Sequence, residues 1–144
     1  MQFENLKVGL KNSVESVVTE NDTALKVGSG SLKVLATPKM IALMEKAAAD
    51  LVEKLLPEEF TSVGISLNVR HIAPTPIGLK IFAEAIIKEI DGRKIIFEVF
   101  AKDEHEEIGC GTHERFIVDR KKFQSKADSI KRVKESSDFN QERN

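Results

Sequence analysis

The stretch "ATPKMIALMEKAAADLVEKLLPEEF", Ala36 to Phe60, limits what this chain can become more than any other feature. Thr37 followed by Pro38 reads as a helix start. A threonine caps the first turn through its hydroxyl, and a proline at the first helical position lacks an N–H that would go unpaired anyway. Met40, Leu43, Met44, Ala47, Leu51 and Leu55 then recur at spacings of three and four, which puts them on one stripe of a helix. Pro57 ends it. A helix of about 18 residues is ~27 Å long, enough to cross a small sheet. No second helix of comparable strength is available to cover the stripe, so strands must do it.

The strands follow in the sequence. "SVGISLNVRH" (62–71), "GLKIFAEAIIKEI" (78–90), "RKIIFEVFAKD" (93–103) and "EIGCGTHERFIVD" (107–119) carry strand patterning. Asp91-Gly92 is a strong hairpin signal, and "DEHE" (103–106) is a second tight turn. A shorter strand is predicted around Ser13 to Thr19, before a polar loop through Gly28 and Gly30. The order is strand, long helix, then four antiparallel strands joined by short turns. The expected class is therefore α+β, a meandering antiparallel sheet wrapped around one long central helix. A single domain covers 1–130. From about Arg120 a helical pattern (Phe123, Ile130, Val133) runs into residues 131–144, a polar tail with the composition of a disordered segment.

Composition excludes several partners. Net charge is −1, and lysines and arginines are interspersed with acids outside "DRKKF" and "IKRVK", which gives no footprint for nucleic acid. No stretch approaches the ~18 apolar residues of a membrane span, and the first residues lack a signal peptide's basic start and apolar run. The single cysteine, Cys110, fits a reducing compartment, so a cytoplasmic protein is expected. There is no Gly-rich phosphate loop, no metal-ligand spacing of Cys or His, and no G-x-S-x-G elbow.

Chemistry concentrates on a few residues. Val63, Ile65, Leu67 and Val69 share one face of their strand by alternation, and the next residue on that face is His71, after which Pro74 and Pro76 end the ladder. His71 is either a packed core histidine or a base aimed at a ligand. Thr37 is either a helix cap or a hydroxyl at an oxyanion-binding helix start. Glu45 either points to solvent or is enclosed by Leu43, Met44 and Ala47 to Ala49, in which case a histidine is its natural partner. On the last strand, Gly109 and Gly111 share a face with His113 and Arg115, so a partner subunit or a bound acyl group is expected against them. Cys110 is read as packed on the opposite face, His105 as solvated, and His113 as structural or lining a groove.

"ATPKMIALME", "HIAPTPIG", "DGRKIIFEV" and "IGCGTHERFIV…KF", spanning about Val34 to Phe123, resemble the hot-dog-fold acyl-CoA thioesterases, and within them the fluoroacetyl-CoA thioesterase group. The resemblance implies a hot-dog fold and a homodimer, open to pairing into tetramers, with an acyl-CoA site at the subunit interface. It places Thr37, Glu45 and His71 at the catalytic positions, and Gly64 and Arg115 at substrate-binding ones. It implies no metal and no separate cofactor, CoA being part of the substrate. That group covers its pocket with phenylalanines before the helix, whereas here the segment is "KVGSGSLKVLA". A short or branched acyl group other than fluoroacetyl is therefore expected. Two other readings stand beside the hydrolase: a non-catalytic module binding acyl-CoA or an acyl carrier, and a hot-dog hydratase or dehydratase.

Overall fold

Helix α2 (Thr37–Leu55) forms where the proline-bounded stripe predicts it. The computed structural model describes residues 3–130, so the polar tail at 131–144 lies outside the described residues. The remaining elements are β1 (Lys11–Val17), a single 3-10 turn (Glu20–Asp22), α1 (Ala24–Val27), β2 (Phe60–His71), β3 (Lys80–Asp91), β4 (Lys94–Asp103), β5 (Glu107–Asp119) and α3 (Arg120–Ile130). The segment expected as a glycine-containing loop includes the short α1, which Thr23 caps by accepting from the Lys26 N–H and Gly28 ends at φ 88°. No described helix is long and apolar enough to cross a membrane.

The five strands form one antiparallel sheet in the order β1-β3-β4-β5-β2. Only β3, β4 and β5 meander. The expectation of four strands joined by short turns fails at β2, which pairs with β5 along its whole length, so the chain crosses the sheet between β2 and β3. The consequence is functional: β2 becomes an edge of the sheet.

Six α2 residues, Met40, Met44, Ala47, Ala48, Leu51 and Val52, are buried. They join one core with Ile81, Ala83, Ala85 and Ile87 of β3 and Ile95, Phe97 and Val99 of β4. Each large side chain so buried contributes about 1.5–3 kcal/mol. Alanines on both α2 and β3 let the helix come close to the sheet. That closeness fixes the ends of α2 relative to the ends of β2.

β2 corrects a second expectation. Its alternation does not run unbroken, because the β2–β5 register shifts between Gly64 and Ser66. A bulge places one extra residue, Ile65, in β2 and flips the side-chain parity beyond it. Val63 therefore pairs with Phe116, while Leu67, Val69 and His71 pair with His113, Gly111 and Gly109. The face reached by Gly64 before the bulge is the face reached by His71 after it. Ile65 and Leu67 remain 51% and 42% exposed, so the apolar middle of this edge is uncovered.

Candidate active site

Thr37 is not the helix cap. The cap position belongs to Ala36, whose carbonyl accepts from the N–H groups of Lys39 and Met40, and no side chain caps the helix. Thr37 is already helical, so its hydroxyl does not sit beneath the first-turn N–H groups where a cap would. It is free for another partner and finds His71, with Oγ1 2.7 Å from Nδ1. The end of β2 and the start of α2 thus meet through these two side chains.

The other ring nitrogen of His71, Nε2, is buried without a hydrogen-bond partner among the described residues. Burial lowers the His71 pKa below the ordinary 6.5, with the Ala73 backbone opposing it. A neutral imidazole accepting at Nδ1 carries its proton on Nε2, and a buried N–H with nothing to receive it is costly. Beside the pair lies a cleft of about 320 Å³, lined also by Ala24, Val34, Leu35, Ile72 and Pro74. Apolar side chains make up most of its walls, with Ser29 among them.

Glu45 does not join this pair within one chain. It is half-buried, and a Cβ placed on Gly64 would lie 3.2 Å from its Oε2, 3.2 Å from His113 Cε1 and 3.4 Å from Arg115 Nη1. The histidine beside Glu45 is thus His113, while His71 belongs to the other group. Gly64 is the residue that lets the carboxylate, imidazole and guanidinium converge, because any side chain there would crowd all three.

Arg115 is only 8% exposed, yet among the described residues no carboxylate forms an ion pair with it. Its Nε donates to Ser62 Oγ at 2.7 Å, its Nη2 to Ser62 O at 3.0 Å, and its Nη1 to His113 Nε2 at 3.2 Å. His113 donates from Nδ1 to the Ser66 carbonyl at 2.9 Å, which fixes Nε2 as the acceptor and the ring as neutral. Burial, first, and the Arg115 charge hold the His113 pKa below 6.5, against the Ser66 carbonyl and the Glu45 charge. The ring also stacks on Phe97 at 6.2 Å.

The glycines of β5 have a plainer cause than a partner subunit or an acyl group. A Cβ on Gly109 would lie 2.5 Å from Met40 Sδ of α2, and one on Gly111 would lie 2.6 Å from Val69 Cα of β2. The chain's own helix and neighbouring strand press on β5 there. Cys110 is half-buried on the other face and His105 is exposed, as expected. Sequence reasoning missed Ser62, because a serine at a strand start gives no sign that it will hold an arginine by both side chain and backbone.

The family model for fluoroacetyl-CoA-specific thioesterases matches residues 18–121. The fluoroacetyl-CoA thioesterase of Streptantibioticus cattleyicolor is 37% identical over 94 residues, 65% of this chain and 68% of that protein. A solved structure of a fluoroacetyl-CoA thioesterase superposes with a TM-score of 0.81 at 30% identity, covering 87% of this chain and 97% of that one. A hot-dog-like protein from Thermanaerovibrio acidaminovorans has the same fold, with a TM-score of 0.80 at 23% identity over 88% of this chain and 95% of its own.

Proposed function

The chain belongs to the fluoroacetyl-CoA-specific thioesterase family, and from that premise we propose that it hydrolyses a short or branched acyl-CoA thioester to a carboxylic acid and free CoA at a Thr/Glu/His site completed by a second copy of the chain. The observation that carries the reading is the His71 ring: bonded at Nδ1 to Thr37, buried at Nε2, and lacking a partner there.

The exposed β2 edge offers that partner. If two copies pair their β2 strands antiparallel about the middle, where Ile65 and Leu67 lie uncovered, the His71 end of one strand comes beside the Ser62–Gly64 end of the other. Glu45 of the second protomer is then brought to the side of the His71 ring. Each protomer supplies a Thr37–His71 pair to one site and a Glu45–Arg115 cluster to the other.

His71 acts as general base, its Nε2–H oriented by the carboxylate. Nδ1 takes the proton from the Thr37 hydroxyl as Oγ1 attacks the thioester carbonyl, the C–S bond breaks, and the proton passes to the CoA sulfur. Water, deprotonated by the same nitrogen, then cleaves the acyl-Thr37 ester to the free acid, and the proton returns to Thr37. The 2.7 Å Thr37–His71 bond favours this route over direct activation of water by Glu45. The Gly64 backbone holds the oxyanion, and Arg115 faces the acyl group. The absence of aromatic residues between Lys26 and Ala36 supports a non-fluorinated acyl group.

Complementation between inactive variants tests the shared site. His71→Ala and Glu45→Ala chains, refolded together in equal amounts, recover about a quarter of wild-type thiol release, since half the dimers hold one intact site. No recovery above either parent places the whole site in one protomer. No free thiol from the wild type over a panel of acyl-CoAs overturns the hydrolase.

A further inference from the structure

The segment after His71 is "IAPTPIG", and its central residue, Thr75, takes no part in the chemistry proposed above. It is nevertheless fully buried, with Pro74 and Pro76 exposed on either side. Pro76 confines Thr75 to extended backbone, and Pro74 does the same for Ala73, so the stretch enters folding with few conformations to lose.

Thr75 makes two contacts that point in different directions. Its carbonyl accepts from the Leu35 N–H at 2.8 Å, next to the bridge between Val34 and Pro76. Leu35 precedes Thr37 by two residues, and Thr75 follows His71 by four. Its hydroxyl donates to Asp103 Oδ2 at 2.9 Å. Asp103 is only 6% exposed and closes the β4–β5 turn, its Oδ1 accepting from the N–H groups of His105 and Glu106 at 2.7 and 2.9 Å. Burial pushes the Asp103 carboxyl up, but the two backbone N–H groups and the Thr75 hydroxyl outweigh it and hold the group below its ordinary value. The Ile72 N–H donates to Ile108 O at 2.7 Å, tying the start of the same segment to β5 beyond the turn.

We infer that Thr75 and Asp103 form a clamp between the β4–β5 turn and the segments carrying His71 and Thr37, and that both are positioning residues for the Thr37–His71 pair. The clamp rests on the hydrolase reading for its role, though not for its existence. The pair is otherwise held by one hydrogen bond between a half-buried ring and an exposed threonine at the mouth of a cleft. Thr75 is where the two strands of chain behind those side chains are pinned to each other and to the rigid turn.

Thr75→Val removes the hydroxyl and keeps the shape and the carbonyl; Thr75→Ala serves if the valine does not fold. Two readouts are taken on the full chain. Amide hydrogen exchange at Leu35 reads the clamp directly and is expected to accelerate about tenfold or more, while amides of the central β3 and β4 strands keep their rates. Thiol release reads the chemistry: kcat falls about tenfold with KM within about twofold, because a misplaced base slows the step without weakening binding. Thr75→Ser, which restores the hydroxyl, returns both. Unchanged Leu35 exchange overturns the clamp. Faster exchange with unchanged kcat makes the contact structural only and overturns the positioning role. A wild-type chain that exchanges slowly at Leu35 yet releases no thiol overturns the hydrolase reading, and the catalytic role of the clamp with it.

Discussion

The polar groups near α2 fall into two sets that differ in charge, exposure and bonding. At the helix start, Thr37 and His71 form a neutral pair beside an open cleft, with one bond made and one ring nitrogen unpartnered. Two turns further on, Glu45 and Arg115 bring full charges to a region where Arg115, His113 and Ser62 are buried and satisfied by one another. A buried guanidinium held only by neutral acceptors is a poor stabiliser, since desolvation offsets most of what its hydrogen bonds return. The first set lacks a partner and the second holds charge that the fold does not need. Both lie on one face of β2, at opposite ends of an uncovered edge, which is the arrangement that the proposed pairing of two copies would use.

The largest effect expected from breaking this comparison is at His71. His71→Ala removes the base and lowers thiol release about 10³-fold or more, with near-normal stability because the ring is only half-buried. Ile65→Lys comes next. A lysine in the exposed middle of an edge strand blocks edge-to-edge pairing. A monomer by sedimentation that keeps its fold but loses about 10²-fold in turnover supports joining across β2, where reorientation of the two sets is lost. A fully active monomer would refute it. Arg115→Met should separate stability from function: turnover falls about tenfold, while the melting temperature holds or rises as a buried charge gives way to an apolar side chain.

Much of this was legible in the sequence. α2 was, because proline boundaries and a three-four stripe leave a helix few alternatives, and so was the β3–β4 hairpin, whose Gly92 sits at φ 62°. From the sequence, Thr37, Glu45 and His71 join at the helix start. Within one chain Thr37 and His71 meet, because Ala36 and not Thr37 takes the cap, while Glu45 lies beside His113. The place of β2 in the sheet was not legible. Strand order follows from which faces pair at long range, and nothing local in "SVGISLNVRH" distinguishes an edge from a centre. The bulge at Ile65 hid for the same reason: alternation through Val63, Ile65 and Leu67 looks unbroken until β5 sets the register. The Glu45 neighbourhood followed from that shift, since it is Gly64 and not Ile65 that faces the helix.

The smallest effect is also the most discriminating. Both His71 and His113 titrate below 6.5, but for His71 the cause is burial, whereas for His113 the Arg115 charge adds to burial. A base must be neutral to act, so kcat/KM stays level as pH drops through 6.5 and declines only nearer the depressed His71 value. Stability follows the same sign. The unfolded chain takes up protons at the ordinary 6.5 and the folded chain does not, so the stability these rings contribute is full above 6.5 and is lost as pH falls towards their folded values. Arg115→Met separates the two rings. Followed by NMR titration of the imidazole protons, His113 moves up part of the way, because burial remains, while His71, whose depression comes from burial and not from Arg115, moves less, and the acid limb of kcat/KM shifts less than His113 does. Equal movement of both rings would mean that one field governs the two sets, and that their separation within a protomer is one of distance alone.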